Sequence, residues 1–96
     1  MRNAKTDDNQ QVIVNGLRMI GCSVQVLSSV GKGCPDLLVG RIGQNYLLEI
    51  KDGTKSPSRR KLTPDEQEWH KNWYGQVNVV NDFTEAVEVV TGRKVA

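Results

Sequence analysis

From Asp8 to Ile20 the chain reads DNQQVIVNGLRMI, and Val12, Ile13, Leu17 and Ile20 recur at spacings of about three and four. That stripe predicts an amphipathic helix closed by Gly21. Gly16 inside it costs about 1 kcal/mol relative to alanine. SVQVLSS follows, with Val24 and Val26 alternating against polar neighbours, a short half-buried strand. The glycine-rich SVGKGC leads to Pro35. Because a proline fits only at a strand start or edge, the next strand runs from about Asp36 to Val39. RIGQ reads as a tight turn and NYLLEIK as the third strand, completing a hairpin. A polar loop, DGTKSPSRRK, then precedes a helix start with three agreeing signals: Thr63 as N-cap, Pro64 at the first helical position, and Glu66 three residues after the cap. Trp69 and Trp73, four apart, share one face of that helix. QVNVVN is a fourth strand. Asp82 caps a last helix, with Glu85 three residues on and Gly92 at its end.

The order α-β-β-β-α-β-α predicts an α/β fold: a small mixed β-sheet flanked by helices, with a meander first and a right-handed crossover bringing the fourth strand alongside. The 96 residues suit a single domain spanning positions 1–96.

Composition adds limits. A hydrophobic share of 38% and a charged share of 25% exclude a collagen-like or disordered chain. No apolar run approaches ~18 residues, so no membrane partner is expected. The polar start MRNAKTDDNQ lacks a signal peptide, which predicts a cytoplasmic protein. Cys22 and Cys34 then read as packed thiols, and no Cys or His group supplies a zinc ligand set. Charge is more informative. The net charge is +2, but Lys51 to Lys61 holds five bases against one acid, a local +4 that leaves −2 elsewhere. Such a concentration reads as a docking surface for a polyanion.

Two apolar strands carry the chemistry. In a strand, Glu49 and Lys51 point to one face and Ile50 to the other. Asp36 begins the neighbouring strand, where the hairpin can set its carboxylate beside that of Glu49. Two such acids repel unless a cation lies between them, and a hard divalent ion such as Mg²⁺ takes one or two carboxylates together with phosphate oxygens. Lys51 can then orient or help deprotonate an attacking water and offset charge on phosphorus.

Pro35-Asp36 followed by Glu49-Ile50-Lys51 resembles the PD-(D/E)XK nuclease motif, which implies a restriction-endonuclease-like core. The wider context, GKGCPDLLVG, YLLEIKDG and LTPDEQEWH, looks like the compact VRR-NUC branch, the virus-type replication-repair nucleases, in their stand-alone phage form. The likeness runs from about Thr6 to Val90. It implies that Asp36, Glu49 and the backbone carbonyl of Ile50 bind Mg²⁺ or Mn²⁺, and that Lys51 is the catalytic lysine. Similar proteins carry an acid on the first helix near the metal, for which Asp7 and Asp8 are the candidates. The family usually has glutamine two residues after the proline opening the second helix; here Glu66 stands at that position and Gln67 follows. Both remain accessory candidates, and Glu66 is already explained as a capping acid.

The expected activity is metal-dependent endonucleolytic hydrolysis of DNA phosphodiesters, selective for branched or Holliday-junction DNA and exerted by a homodimer in phage replication, recombination or repair. Lys55, Arg59, Arg60 and Lys61 would grip phosphates without reading sequence. Lys32 is a further candidate phosphate contact. Two alternatives stand beside this reading: a non-catalytic DNA- or partner-binding module, and a nuclease subunit of a larger DNA-processing complex that works with other phage proteins. RNA also remains open as substrate. His70, the only histidine, reads as a surface or packing residue rather than a proton shuttle. Trp69 and Trp73 read as core or dimer packing rather than stacking platforms for bases.

Overall fold

The computed structural model describes residues 4–94. The element order is α1 (Ala4–Met19), β1 (Ser23–Val26), β2 (Leu37–Arg41), β3 (Gln44–Ile50), α2 (Pro64–Asn72), β4 (Asn78–Val80) and α3 (Phe83–Thr91), with a short 3-10 turn at Pro57–Arg59. The strands form one sheet in the order β1-β2-β3-β4. The first three are antiparallel neighbours, and β4 runs parallel to β3. The mixed sheet and the sequential order of helices and strands are those expected from the sequence.

Alternation along the strands divides the sheet into two unlike faces. Leu37, Val39, Leu48, Ile50 and Val80 are buried in one core with Ile13, Val14 and Leu17 of α1 and Ala86 and Val90 of α3. The residues between them face the other way, and there the sheet meets α2 through polar groups. The β2–β3 turn sets the register: Arg41 pairs with Gln44 and Leu37 with Leu48. Ile42 and Gly43 both have positive φ, 47° and 75°, as a two-residue hairpin turn of the primed type requires.

Two features of α1 differ from the sequence reading. The helix begins at Ala4, before Asp8. Its buried stripe is Ile13, Val14 and Leu17, while Val12 is 61% and Ile20 46% exposed. Three consecutive apolar residues, Val12 to Val14, fit two adjacent stripes equally well, and packing against α3 selects the second. Gly16 has a positive reason to be there: a Cβ at that position would lie 2.5 Å from Phe83 Cε1, so glycine permits the close approach of α1 and α3. The tryptophans do not pack in the core, one of the two places expected for them. Trp73 is 44% exposed, Trp69 is half-buried, and α2 has no buried residue, so neither ring serves the core. Cys22 is buried and Cys34 half-buried, both as free thiols. Among the described residues, no helix is long and apolar enough to cross a membrane.

Candidate active site

The register that pairs Leu37 with Leu48 brings Asp36, one step earlier, opposite Glu49 on the face away from the core. Asp36 Oδ2 accepts a 2.8 Å hydrogen bond from the Ile50 backbone N–H, which pins its carboxylate across the strand pair. Glu49 is only 2% exposed. Lys51 follows on the same face, with Nζ 3.8 Å from Glu49 Oε2 and 2.7 Å from Glu66 Oε1. Where β3 ends, the Lys51 N–H donates to Val80 O, and Asn9 of α1 donates its Nδ2–H to Lys51 O at 2.7 Å. Strand, parallel neighbour and first helix therefore all fix the backbone that presents the lysine.

Helix α2 closes the cluster. Thr63 Oγ1 accepts from the Glu66 N–H, and Glu66 Oε1 accepts from the Thr63 N–H at 2.9 Å. The same oxygen receives Lys51. Glu66 thus both caps the helix and ties it to β3. Gln67 turns elsewhere, donating to Leu62 O. One turn after Glu66, His70 lies on the same helix face, with Nε2 3.9 Å from Glu49 Oε1. The docking depends on Gly33, where a Cβ would lie 2.2 Å from Asp65 O; only glycine lets the Gly31–Gly33 loop reach the first turn of α2.

The electrostatics follow from this crowding. Burial, then the neighbouring Asp36 carboxylate and its hydrogen bond, with Glu66 adding, push the Glu49 carboxyl up to about 9 against the opposing pull of Lys51. Glu49 therefore holds a proton at neutral pH when no cation is present. For Glu66, burial pushes the carboxyl up, but the hydrogen bonds from Lys51 and Thr63 and the lysine's charge outweigh it and hold the group below its usual range. Cys34 is pushed up by burial and by the charges of Asp36 and Glu49, so it stays a thiol.

A divalent cation fits this donor set. Two carboxylates meet on a buried strand pair, and Glu49 Oε1 is buried with no hydrogen-bond partner. Such an orphaned oxygen is what a hard cation satisfies. Among the described residues no group of three or more His, Cys, Asp or Glu side chains is placed to share one metal ion. A cation held there would have two acids plus backbone as its protein donors, a set that Mg²⁺ accepts. Asp8 does not join them: it is exposed and lines a surface groove with Asn9, Val12, Asp52, Thr54 and Lys55. The side chain of Asp7 lies outside the described residues.

The basic segment links the two elements that carry the site, running from Lys51 to the cap of α2. It is folded: Asp52 Oδ1 accepts from Thr54, and Arg60 Nε donates to Lys55 O. Arg59 and Lys61 are exposed, while Lys55 and Arg60 are half-buried. Lys32 lies elsewhere, with φ of 56°, in a groove of about 540 Å³ beside Asp65, Glu68, Trp69, Asn72 and Trp73. The residue that sequence reasoning missed is His70. Its spacing of four from Glu66 was the available signal.

A mixed sheet whose central hairpin presents Asp36 and Glu49-x-Lys51 on the face opposite the core is the arrangement of a PD-(D/E)XK-type nuclease fold. No family model matches the chain, and no curated protein matches it. A solved structure described as a VRR_NUC domain is similar over 88% of this chain and 92% of its own length, with a TM-score of 0.63 and 25% identity. The fold is that of a VRR-NUC nuclease domain, as the motifs in the sequence had indicated.

Proposed function

We propose that this protein is a Mg²⁺- or Mn²⁺-dependent endonuclease that hydrolyses DNA phosphodiester bonds at the Asp36–Glu49–Lys51 cluster. The observation that carries the reading is the burial of Glu49 beside Asp36 on the VRR-NUC fold, with Lys51 within reach of both strand acids' end of the sheet. A buried pair of carboxylates adds nothing to stability by itself, so its presence calls for a cation. Asp36, Glu49 and the Ile50 carbonyl would hold that cation, which when bound supplies Lewis-acid polarisation of the phosphate and activation of water. The chain's own residues do the rest. Asp36 is oriented by the Ile50 N–H. Lys51 places an ammonium where negative charge builds on the phosphorus oxygens, and Glu66, 2.7 Å away, keeps that ammonium aimed. Lys55, Arg59, Arg60 and Lys61 give a phosphate-binding margin between β3 and α2, with affinity that falls as salt rises.

The proposal extends to substrate and setting. One domain of this size has little surface for selecting DNA, and a homodimer placing two sites on one branched junction would supply selectivity. The setting proposed is a cytoplasmic role in phage replication, recombination or repair. The test is cleavage of labelled duplex, flap and four-way-junction DNA with Mg²⁺, Mn²⁺ or EDTA. Wild type should cut only with metal, and Asp36→Asn and Lys51→Ala should each lower the rate at least ~10²-fold with the fold retained. Wild type that binds junctions and never cuts them refutes the enzyme and favours the binding module. Light scattering that gives a strict monomer at assay concentration, with junction cleavage intact, removes the paired-site version.

A further inference from the structure

Glu49 and His70 present two buried atoms that face one another with nothing else to bond. Glu49 Oε2 faces Lys51, but Oε1 is buried with no hydrogen-bond partner; His70 Nε2 is equally buried and equally unpartnered, 3.9 Å away. A gap of that length is beyond hydrogen-bond reach. A buried donor or acceptor left unsatisfied is costly, and two such atoms aimed at each other mark a bond poised to form. The nearest cationic and backbone donors are engaged elsewhere: Lys51 Nζ donates to Glu66 at 2.7 Å, and the Ile50 N–H to Asp36 Oδ2.

The imidazole is also aimed by a rigid mount. Helix α2 is fixed at its start by the reciprocal Thr63–Glu66 cap and by the Glu66–Lys51 contact. The ring is braced edge-on by Trp69, with centroids 5.9 Å apart at 70°. Trp69 is in turn stacked on Trp73 at 4.6 Å. Those tryptophans, which the core does not use, hold the histidine against the sheet.

We propose that His70 is a positioning residue for Glu49: its Nε2–H is the donor that Glu49 Oε1 lacks, and the bond between them closes when the carboxylate turns to hold a divalent cation. The inference rests on the metal-dependent reading above and assigns a residue that the PD-(D/E)XK motif does not contain. Carboxylates that bind metals are themselves held by hydrogen bonds, and loss of such a partner typically weakens metal binding by about 10–100-fold.

The test reads metal binding without DNA. Mn²⁺ and Mg²⁺ are titrated calorimetrically into the full chain as wild type, His70→Leu and His70→Gln. His70→Leu, which has no donor, should weaken Mn²⁺ binding roughly 10–100-fold. His70→Gln, which keeps a side-chain N–H, should stay close to wild type, and the two variants should melt alike in EDTA. Equal loss in both variants, or loss in neither, overturns the proposal. A fall in Mn²⁺ binding much larger than that in Mg²⁺ for both variants also overturns it, because the imidazole is then itself a metal ligand. The two readings separate cleanly. Unchanged metal affinity in His70→Leu with metal-dependent cutting intact removes only the role of His70, whereas wild type that neither binds metal nor cuts removes the nuclease reading and this inference together.

Discussion

Helices α2 and α3 start alike and are held in place by different forces. Each is nine residues long, with a capping side chain and a glutamate three residues after the cap. Glu85 of α3 accepts from the N–H and Nδ2–H of Asn81, one residue before its cap, at 2.7 and 3.1 Å. Glu66 of α2 accepts from its own cap and from Lys51, just past the end of β3. There the likeness ends. Helix α3 buries Ala86 and Val90 and ends at Gly92 in the left-handed conformation. Helix α2 buries nothing and reaches the sheet through Glu66 and His70. Apolar burial is the main hold on α3, so its seat depends little on the charge of the site; polar contacts hold α2, so its seat reports the state of the site.

The largest expected difference between the two follows from Glu49. Its carboxyl is raised from 4.5 in the free group to about 9 in the fold, so between those values the folded chain keeps a proton that the unfolded chain has released. Stability from this group is complete below about pH 4.5 and is lost as pH rises toward 9. Glu66 works in the opposite sense, since its lowered carboxyl contributes above its unfolded value and is lost only as pH falls. In EDTA, thermal stability should therefore fall from pH 5 to pH 9, and amide exchange should quicken in α2 before α3. Glu49→Gln should flatten the profile, and Mg²⁺ should restore stability at the alkaline end. An alkaline loss that begins in α3 would break the comparison.

Next in size is the effect of burial itself. Val90 is fully buried, and Val90→Ala should cost about 2 kcal/mol in chemical denaturation. Trp73 is a far larger side chain but is 44% exposed and stacks only on one ring face. Trp73→Ala should cost no more than about 1 kcal/mol. A greater loss at Trp73 than at Val90 would mean that α2 is seated by its tryptophans rather than by the site.

Much of this was legible because it is local. Strand alternation put Glu49 and Lys51 on one face, the hairpin brought Asp36 to them, and the spacing from Thr63 and Pro64 to Glu66 marked the start of α2. What escaped was set by packing. The rotation of α1 about its axis depends on how Phe83 meets Gly16, which no helical spacing reveals. Paired tryptophans suggest core or dimer packing, whereas Glu66 and His70 hold the face of α2 that meets the sheet. The resemblance offered Asp7 or Asp8 as a metal ligand; Asp8 lines a separate surface groove, and the next residue, Asn9, holds the Lys51 carbonyl through its amide.

The finest discrimination between the two helices lies in their matched glutamates. Glu85→Ala removes contacts to Asn81 and touches no site residue, so it should cost about 1 kcal/mol of stability and leave cleavage per folded molecule unchanged. Glu66→Ala removes a capping acceptor of similar worth, about 1 kcal/mol, and also strips Lys51 of its 2.7 Å partner. Its stability loss should match that of Glu85→Ala while its cleavage rate falls. Glu66→Gln separates the two jobs within α2: an amide oxygen still accepts from the Thr63 N–H and from Lys51 Nζ, so stability and most of the activity should survive. Denaturation curves and single-turnover cleavage on the three variants decide the matter, and equal loss of cleavage at Glu66 and Glu85 would show that capping alone, rather than the tie to Lys51, is what the site needs.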